Sequence, residues 1–187
     1  TLTTSSAASD VYKRQPLVSN EERMRFVLKL TLQNIEKTTG GPFGAAVFER
    51  ESGQLVSVGV NVVLNQGCSA AHAEMMAIML AQQELGTHDL GIAELPEFQL
   101  VTSGKMCAMC LGSVVWSGVR EVLASAQPED VENIVGFDEG PAPADYDQQL
   151  EKRGISIIPS FLREEGCAVL QRYVDLEGVV YNPSRNS

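Results

Sequence analysis

The sequence has few basic residues and no long apolar run. Its 187 residues include 14 Lys and Arg against 24 Asp and Glu, a net charge of −10 with an isoelectric point near 4.6. Proteins that hold nucleic acid need clustered basic surface for the phosphates, and these scattered basic residues do not provide it. No apolar run approaches the roughly 18 residues that span a bilayer. We therefore expect neither a nucleic-acid partner nor a membrane segment.

Cysteine is also scarce, with four residues in the chain, and the N-terminus does not resemble a secretory signal. We therefore expect a cytosolic protein without disulfides, and interpret Cys68 and Cys167 as small buried or half-buried hydrophobic residues. Residues 1–15 lack periodicity and predict a disordered lead, which could be artefactual rather than native. Residues 16–187 then form a single domain, because the chain is 44% hydrophobic and long enough for a core.

Two short motifs hold the residue types of a catalytic metal site. His72-Ala73-Glu74 and Cys107-Ala108-Met109-Cys110 supply one imidazole, two thiols and one carboxyl group. Structural zinc sites use four protein ligands, whereas catalytic sites use three and leave a position for water. We predict that His72, Cys107 and Cys110 bind one Zn²⁺, with Glu74 as general acid and base beside it. The alternatives are a redox Cys-x-x-Cys pair and a histidine that only satisfies a helix end.

The local sequence places both motifs at helix N-termini. Ser69 is the predicted N-cap of an apolar helix over 70–85, which puts His72 and Glu74 in its first turn. A second helix is expected over 107–117, ended by Gly118, and its i, i+3 spacing puts both sulfurs on one face. The positive ends of the two helix dipoles then favour thiolates and a neutral imidazole at a shared site.

The rest of the pattern alternates strands and helices. A capping box of Ser19 and Glu22 predicts a helix to about residue 38, whose buried stripe is Met24, Val27, Leu28, Thr31 and Ile35. Strands are predicted at 44–50, 55–64, 98–102, 121–125 and 155–159, the first two as a hairpin, and further helices at 128–134, 146–153 and 161–176. One βαβ unit requires parallel strands and a right-handed crossover. This alternation predicts an α/β protein with a three-layer α/β/α fold.

The motifs resemble those of the zinc-dependent cytidine/deoxycytidylate deaminase superfamily, whose signature is His-x-Glu followed by Pro-Cys-x-x-Cys. Residues 40–44 (Gly-Gly-Pro-Phe-Gly), 72–75 (His-Ala-Glu-Met) and 136–139 (Gly-Phe-Asp-Glu) look like those of bacterial guanine deaminases. The resemblance covers roughly residues 20–183 and implies a mixed five-stranded sheet that begins with a hairpin. It also implies one Zn²⁺ per chain and hydrolytic deamination of a free base, most simply guanine to xanthine and ammonia.

Other functions stay open from the sequence. The same chemistry could act on ammeline or a related triazine, or on cytosine, because a pocket that binds one edge accepts isosteres. A nucleoside substrate needs room and hydrogen-bond donors for ribose, which the sequence does not reveal. A zinc-folded binding protein without activity is the alternative outside enzymes, and it would leave Glu74 without a purpose.

The resemblance also suggests residues of the substrate pocket. It implies that Asn61 hydrogen-bonds the base and that Glu139 is a second proton carrier near the departing amine. Phe43 and Trp116 are candidates for lining the pocket, although aromatic residues in turns and helices often fill core instead. A buried Asn61 needs a partner, whereas Glu139 could belong, with Asp138, to a solvated acidic loop.

The C-terminal stretch, residues 178–182, is apolar for a chain end and includes Tyr181. The resemblance implies a homodimer in which this tail closes over the active site of the other subunit, with Tyr181 as the matching aromatic residue. The alternative is a tail packed on its own domain.

The chain departs from the family just before its first cysteine. Met106 stands where proline is usual, and Lys105 stands where the guanine branch usually has glutamate. Proline presets the backbone angle of a helix's first turn, and methionine can adopt the same angle at a modest entropic cost, so we expect the ligands to converge with less order in this loop. Lys105 is expected either to steady the thiolates or to point to solvent.

Overall fold

The computed structural model describes residues 16–182, and its first helix begins at the predicted cap. The hydroxyl of Ser19 accepts the backbone N–H of Glu22 at 3.2 Å, while the Glu22 carboxylate accepts the N–H of Ser19 at 3.0 Å. This capping box begins α1, Asn20–Glu36, and the whole predicted stripe of that helix is buried. The predicted disordered lead, residues 1–15, lies outside the described residues.

Five strands form one mixed sheet in the order β2-β1-β3-β4-β5. β1 is antiparallel to both β2 and β3, whereas β3, β4 and β5 run parallel to one another. The predicted mixed sheet with a first hairpin is confirmed. The strands are β1 Gly44–Glu49, β2 Leu55–Val60, β3 Phe98–Gly104, β4 Glu121–Ala126 and β5 Ser156–Ile158.

Helices cover both faces of the sheet. After α1, the helices are α2 Val63–Gln66, α3 Ala73–Leu85, α4 Ala108–Ser117, α5 Pro128–Asp130, which continues as a π-helical turn Val131–Val135, α6 Tyr146–Glu151 and α7 Arg163–Asp175. α1 and α7 pack on one face of the sheet, and α3 and α4 pack on the other, so the predicted three-layer α/β/α fold is confirmed. Within residues 16–182, no helix combines the length and apolar character that crossing a bilayer requires.

Strand alternation divides the core in two. Successive side chains of a strand point to opposite faces. Ala45 and Val47 therefore pack with α3 and α4, whereas Ala46 and Phe48 pack with α1. β3 and β4 are buried at every residue, as is typical of central strands covered on both faces. This rigid centre carries the loops of the candidate site.

β2 is shorter than predicted. It ends at Val60 rather than at residue 64, and the short helix α2 follows. The cause is local, because the side-chain oxygen of Asn61 accepts the N–H of Val63 at 3.3 Å. Such hydrogen bonds from an asparagine side chain to the nearby backbone turn the chain and compete with the hydrogen bonds between strands.

The predicted N-cap Ser69 is wrong, since α3 begins at Ala73 with His72 as its N-cap. Residues 70–72 form a turn instead. The backbone N–H of Ala71 donates to the carbonyl oxygen of Cys68, and the N–H of His72 donates to that of Ala70. Cys68 is exposed on this turn, which corrects its prediction as a buried residue, whereas Cys167 is half-buried as predicted.

Candidate metal and catalytic site

Three side chains meet where two helices begin. His72 and Cys107 are the N-caps of α3 and α4, and Cys110 lies in the first turn of α4. Nδ1 of His72 lies 3.5 Å from Sγ of Cys107 and 3.6 Å from Sγ of Cys110, and all three donor atoms lie within 4.8 Å of one another. Tetrahedral zinc, with bonds of about 2.0 Å to nitrogen and 2.3 Å to sulfur, places such atoms about 3.6 Å apart. The donor types and spacings fit Zn²⁺.

The pKa values of the two thiols are shifted in opposite directions. The hydrogen bond from Cys110, assisted by His72, lowers the pKa of Cys107 to about 4, although burial opposes that shift. The bond with Cys107 and burial raise the pKa of Cys110. Burial works to lower the pKa of His72, but its hydrogen bond with Cys107 and the nearby negative charges raise it overall. Zinc binds thiolates, so metal binding releases the proton that Cys110 keeps.

Glu74 lies beside this cluster and is only 6% exposed. Its Oε2 accepts from Sγ of Cys110 at 3.4 Å, and its Oε1 lies 3.2 Å from the hydroxyl of Thr102. Burial, followed by the negative charge of Cys107, raises the pKa of Glu74. A carboxyl group whose pKa is raised binds a proton more readily, which suits a group that takes a proton and returns it.

Thr102 is a contact of Glu74 that sequence analysis missed. Its Oγ1 lies 2.9 Å from the carbonyl oxygen of Gly104, closer than to the Glu74 carboxyl group. The Thr102 hydroxyl can donate its single proton to either the Glu74 carboxyl oxygen or the Gly104 carbonyl oxygen, so it links the two groups. The available signal was a polar residue near the end of a strand that is buried at every position.

Glu139 lies at the same site rather than in solvent. Burial, with the charges of Cys107 and Glu74 adding to it, raises the pKa of Glu139 to about 8. Its carbonyl oxygen accepts the N–H of Ala108 at 3.0 Å, which joins this loop to the first turn of α4. The alternative prediction of a solvated acidic loop applies only to the neighbouring Asp138, which is exposed.

Asn61, Tyr181 and Phe43 form a second group of candidate residues. Asn61 is 1% exposed, and its Oδ1 accepts a hydrogen bond from the Tyr181 hydroxyl at 2.7 Å. The ring of Phe137 joins the group, 4.7 Å from the ring of Tyr181 and 5.5 Å from that of Phe43. A Cβ atom added at Gly41 would collide with the Tyr181 hydroxyl, so the Gly-Gly turn allows this close approach.

Trp116 is the predicted pocket residue that the described structure does not bring to the others. Its side chain is 84% exposed, near the C-terminal end of α4. Six residues separate it from Cys110, which corresponds to about 9 Å along a helix axis. Within one chain, Trp116 therefore lies on the outer surface of α4.

The fold and the donor set define a class of protein. Three nitrogen and sulfur donors at helix N-termini, with a buried carboxyl group beside them, are typical of a catalytic zinc site. Residues 18–126 match the model of the cytidine and deoxycytidylate deaminase zinc-binding region. The chain belongs to this family of zinc-dependent deaminases, which confirms the resemblance and the zinc cofactor and disfavours a redox Cys-x-x-Cys pair.

Similar proteins indicate a branch of that family. Guanine deaminase of Bacillus subtilis (strain 168) is 29% identical over 147 residues, which are 79% of this chain and 89% of that protein. The solved guanine deaminase of Nitrosomonas europaea is 49% identical with a TM-score of 0.83, covering 87% of this chain and 89% of the other. A structure solved in complex with 2,6-diaminopurine is 50% identical with a TM-score of 0.85, covering 90% and 88% of the two chains.

Proposed function

We propose that this protein deaminates guanine hydrolytically, giving xanthine and ammonia. The observation that carries the proposal is the buried carboxyl group of Glu74, in contact with Cys110 beside three donors spaced for zinc. Near half-identity to a guanine deaminase over most of both chains supports guanine as the substrate.

His72, Cys107 and Cys110 would hold the metal, through Nδ1 of the imidazole and the two sulfurs. Zn²⁺ bound there supplies the Lewis acidity that makes water nucleophilic near neutral pH. Both N-caps place the partial positive charge of a helix end toward the thiolates, which stabilises the charged ligands.

Glu74 would move the protons of the reaction. It takes a proton from the attacking water as the new C–O bond forms at the amine-bearing carbon, and gives one to a ring nitrogen. The carboxylate then takes the remaining proton of the new hydroxyl group and gives it to the amine, so that the C–N bond breaks, ammonia leaves and the carbon becomes a carbonyl. Thr102 keeps one carboxyl oxygen in place for this shuttle.

Asn61 and the aromatic residues would orient the base. Oδ1 of Asn61 accepts from Tyr181 and Val63, so we assign its amide N–H groups to an acceptor on the base. Phe43 lies beside Gly104, at the end of the strand that leads to the cysteines, where it can pack on a planar ring. Glu139, with its pKa raised to about 8, is assigned as the second proton carrier near the departing amine. Trp116 enters this pocket only if a partner subunit brings it there.

A homodimer in the cytosol, without a nucleic-acid partner, completes the proposal. Met109 and Trp116 on α4 are exposed apolar residues that association would cover. All four cysteines lie among the described residues and are free, as is typical of cytosolic proteins, whose thiols stay reduced. The net charge of −10 opposes phosphate binding.

Ammonia release by zinc-loaded protein tests the reaction. Guanine, ammeline, cytosine, adenine, guanosine and cytidine are the substrates, and Glu74→Gln is the control that keeps zinc but loses the shuttle. We expect release from guanine, reduced in the variant by at least about 100-fold. Preference for ammeline or cytosine would reassign the substrate, and silence across the panel with one zinc bound would reject the proposal.

A further inference from the structure

The residues just before the first cysteine are fastened to α6. The hydroxyl of Tyr146 donates a hydrogen bond to the carbonyl oxygen of Met106 at 3.1 Å. The ammonium group of Lys105 lies 4.5 Å from the centre of the same Tyr146 ring and 2.6 Å from a carboxylate oxygen of Asp147. Two consecutive residues of the ligand loop therefore contact two consecutive residues of α6.

Burial of Lys105, Met106 and Tyr146 shields the contacts between the loop and the Tyr146 side chain from water, which strengthens them, whereas Asp147 is half-exposed. The Lys105 side chain is 12% exposed, and Met106 lies in the main core cluster. Burial raises the pKa of Tyr146, so its hydroxyl remains a donor across the range of stable pH. A partly desolvated cation over an aromatic face contributes more than an exposed one.

α6 is itself held in place by the hydrophobic core. Its Leu150 is fully buried in the core cluster that also contains Tyr146. On the opposite side of the loop, the N–H of Lys105 bonds to the carbonyl oxygen of Ala126 at the end of β4. The loop is thus held from two sides before Cys107 begins α4.

The bond to Met106 acts directly on the position of Cys107. The carbonyl group of residue 106 and the nitrogen and Cα of residue 107 lie in one planar peptide unit. Fixing that carbonyl oxygen fixes the plane from which the Cys107 side chain departs. Methionine leaves φ free where proline would restrict it, so the order must come from tertiary contacts.

We propose that Tyr146, Lys105 and Asp147 form a positioning clamp that holds Cys107 in place and slows the loss of zinc. None of the three touches the donors, so they are positioning residues. The inference rests on the proposed assignment of Cys107 as a ligand. Lys105 is not directed to solvent, and in this proposal it steadies Cys107 through its contacts with α6.

The rate of zinc release into an excess of a chromogenic chelator tests the clamp in the full chain. Tyr146→Phe removes only the hydroxyl, and Lys105→Met removes the charge at similar length. Because outer partners of metal ligands change metal affinity by about 10–100-fold, we expect each variant to release zinc about tenfold faster. Lys105→Arg keeps the positive charge and can still lie over the Tyr146 ring, so it should release zinc more slowly than Lys105→Met.

Two matched controls separate the clamp from general loosening. Tyr173→Phe removes a similar hydroxyl bond, to the carbonyl of Val179, and Lys152→Met removes an exposed lysine beside Asp145 at the end of α6. Both should leave the release rate within twofold of wild type. If Tyr146→Phe fails to fold, as judged by circular dichroism, Asp147→Asn provides the same comparison at a half-exposed position.

The clamp and the ligand assignment fail in different ways. Zinc held as tightly by Cys107→Ser as by wild type would reject Cys107 as a ligand. Loss of zinc in Cys107→Ser, with wild-type release rates in folded Tyr146→Phe and Lys105→Met, would reject the clamp alone.

Discussion

The hydroxyl of Tyr181 donates a hydrogen bond of 2.7 Å to the amide oxygen of Asn61, 120 positions earlier in the chain. It joins the C-terminal tail to the end of β2. Asn34 adds a second restraint, because its side-chain amide nitrogen donates a hydrogen bond to the backbone carbonyl oxygen of Asn61 at 3.0 Å. Asn61 therefore presents its amide group in one orientation.

Removal of the Tyr181 hydroxyl should weaken substrate binding. Tyr181→Phe keeps the ring against Phe137 but leaves the Asn61 amide oxygen with only the longer 3.3 Å bond from Val63. A neutral hydrogen bond contributes about 1 kcal/mol, so we expect KM for guanine to rise about fivefold with a smaller change in kcat. Steady-state kinetics measure the split, with Thr31→Val, which removes a buried hydroxyl bond within α1, as the control. An unchanged KM would contradict the orienting role of Tyr181.

The contact between Thr102 and Glu74 should affect turnover more than binding. Thr102→Val has nearly the same shape but lacks the hydroxyl between the Glu74 carboxyl group and the Gly104 carbonyl. We expect kcat to fall about tenfold with KM within twofold, because the proton shuttle loses its alignment. Thr31→Val is the matched control, since that buried hydroxyl bonds only the Val27 carbonyl of α1. Equal kinetic effects of both substitutions would argue against a specific role for Thr102.

The pH profile should show the titration of Glu139. Its pKa is raised to about 8, chiefly by burial and then by the charge of Cys107, which bound zinc would partly offset. A proton donor acts in its protonated form, so kcat/KM should fall as pH rises through about 8 or somewhat below. Glu139→Gln should lower activity and remove this alkaline limb. An unaltered limb in that variant would assign the titration to another group.

Mixing two inactive chains tests tail exchange, which stays a prediction because the single chain contacts its own Asn61. One chain is Glu74→Gln with an intact tail, and the other keeps Glu74 but is truncated after Leu176. If tails exchange, random mixing completes about a quarter of the sites and restores that fraction of wild-type activity. No recovery, with mixed dimers shown by mass, would place the tail on its own subunit.

The metal donors were predictable because their chemistry is local. His72, Cys107 and Cys110 stand in short motifs whose spacing and residue types restrict them to few purposes. Strand and helix order followed from periodicity in the same way. The boundaries were less accurate, since the turn at residues 70–72 depends on backbone bonds that no side-chain pattern shows. Ser69 has the right chemistry for an N-cap but lies three positions too early.

The contacts that support the site were not predictable. Lys105 could have faced a thiolate or solvent from its sequence position, and only the packing of α6 brings Asp147 and Tyr146 to it. Trp116 shows the opposite case, because an aromatic residue near a ligand helix turned outward. Helical spacing sets the relative direction of side chains, while neighbouring elements decide which direction is buried.

The sequence by itself determined the donor set, the buried acid and the alternation of strands and helices, because these depend on residue chemistry and on spacing within a few residues. The tertiary structure decided which distant groups act on them: Thr102 on Glu74, Tyr146 on Met106 and Tyr181 on Asn61, separated by 28, 40 and 120 positions. Such pairs meet only when separate elements pack on the sheet, and their energies depend on the burial that packing creates.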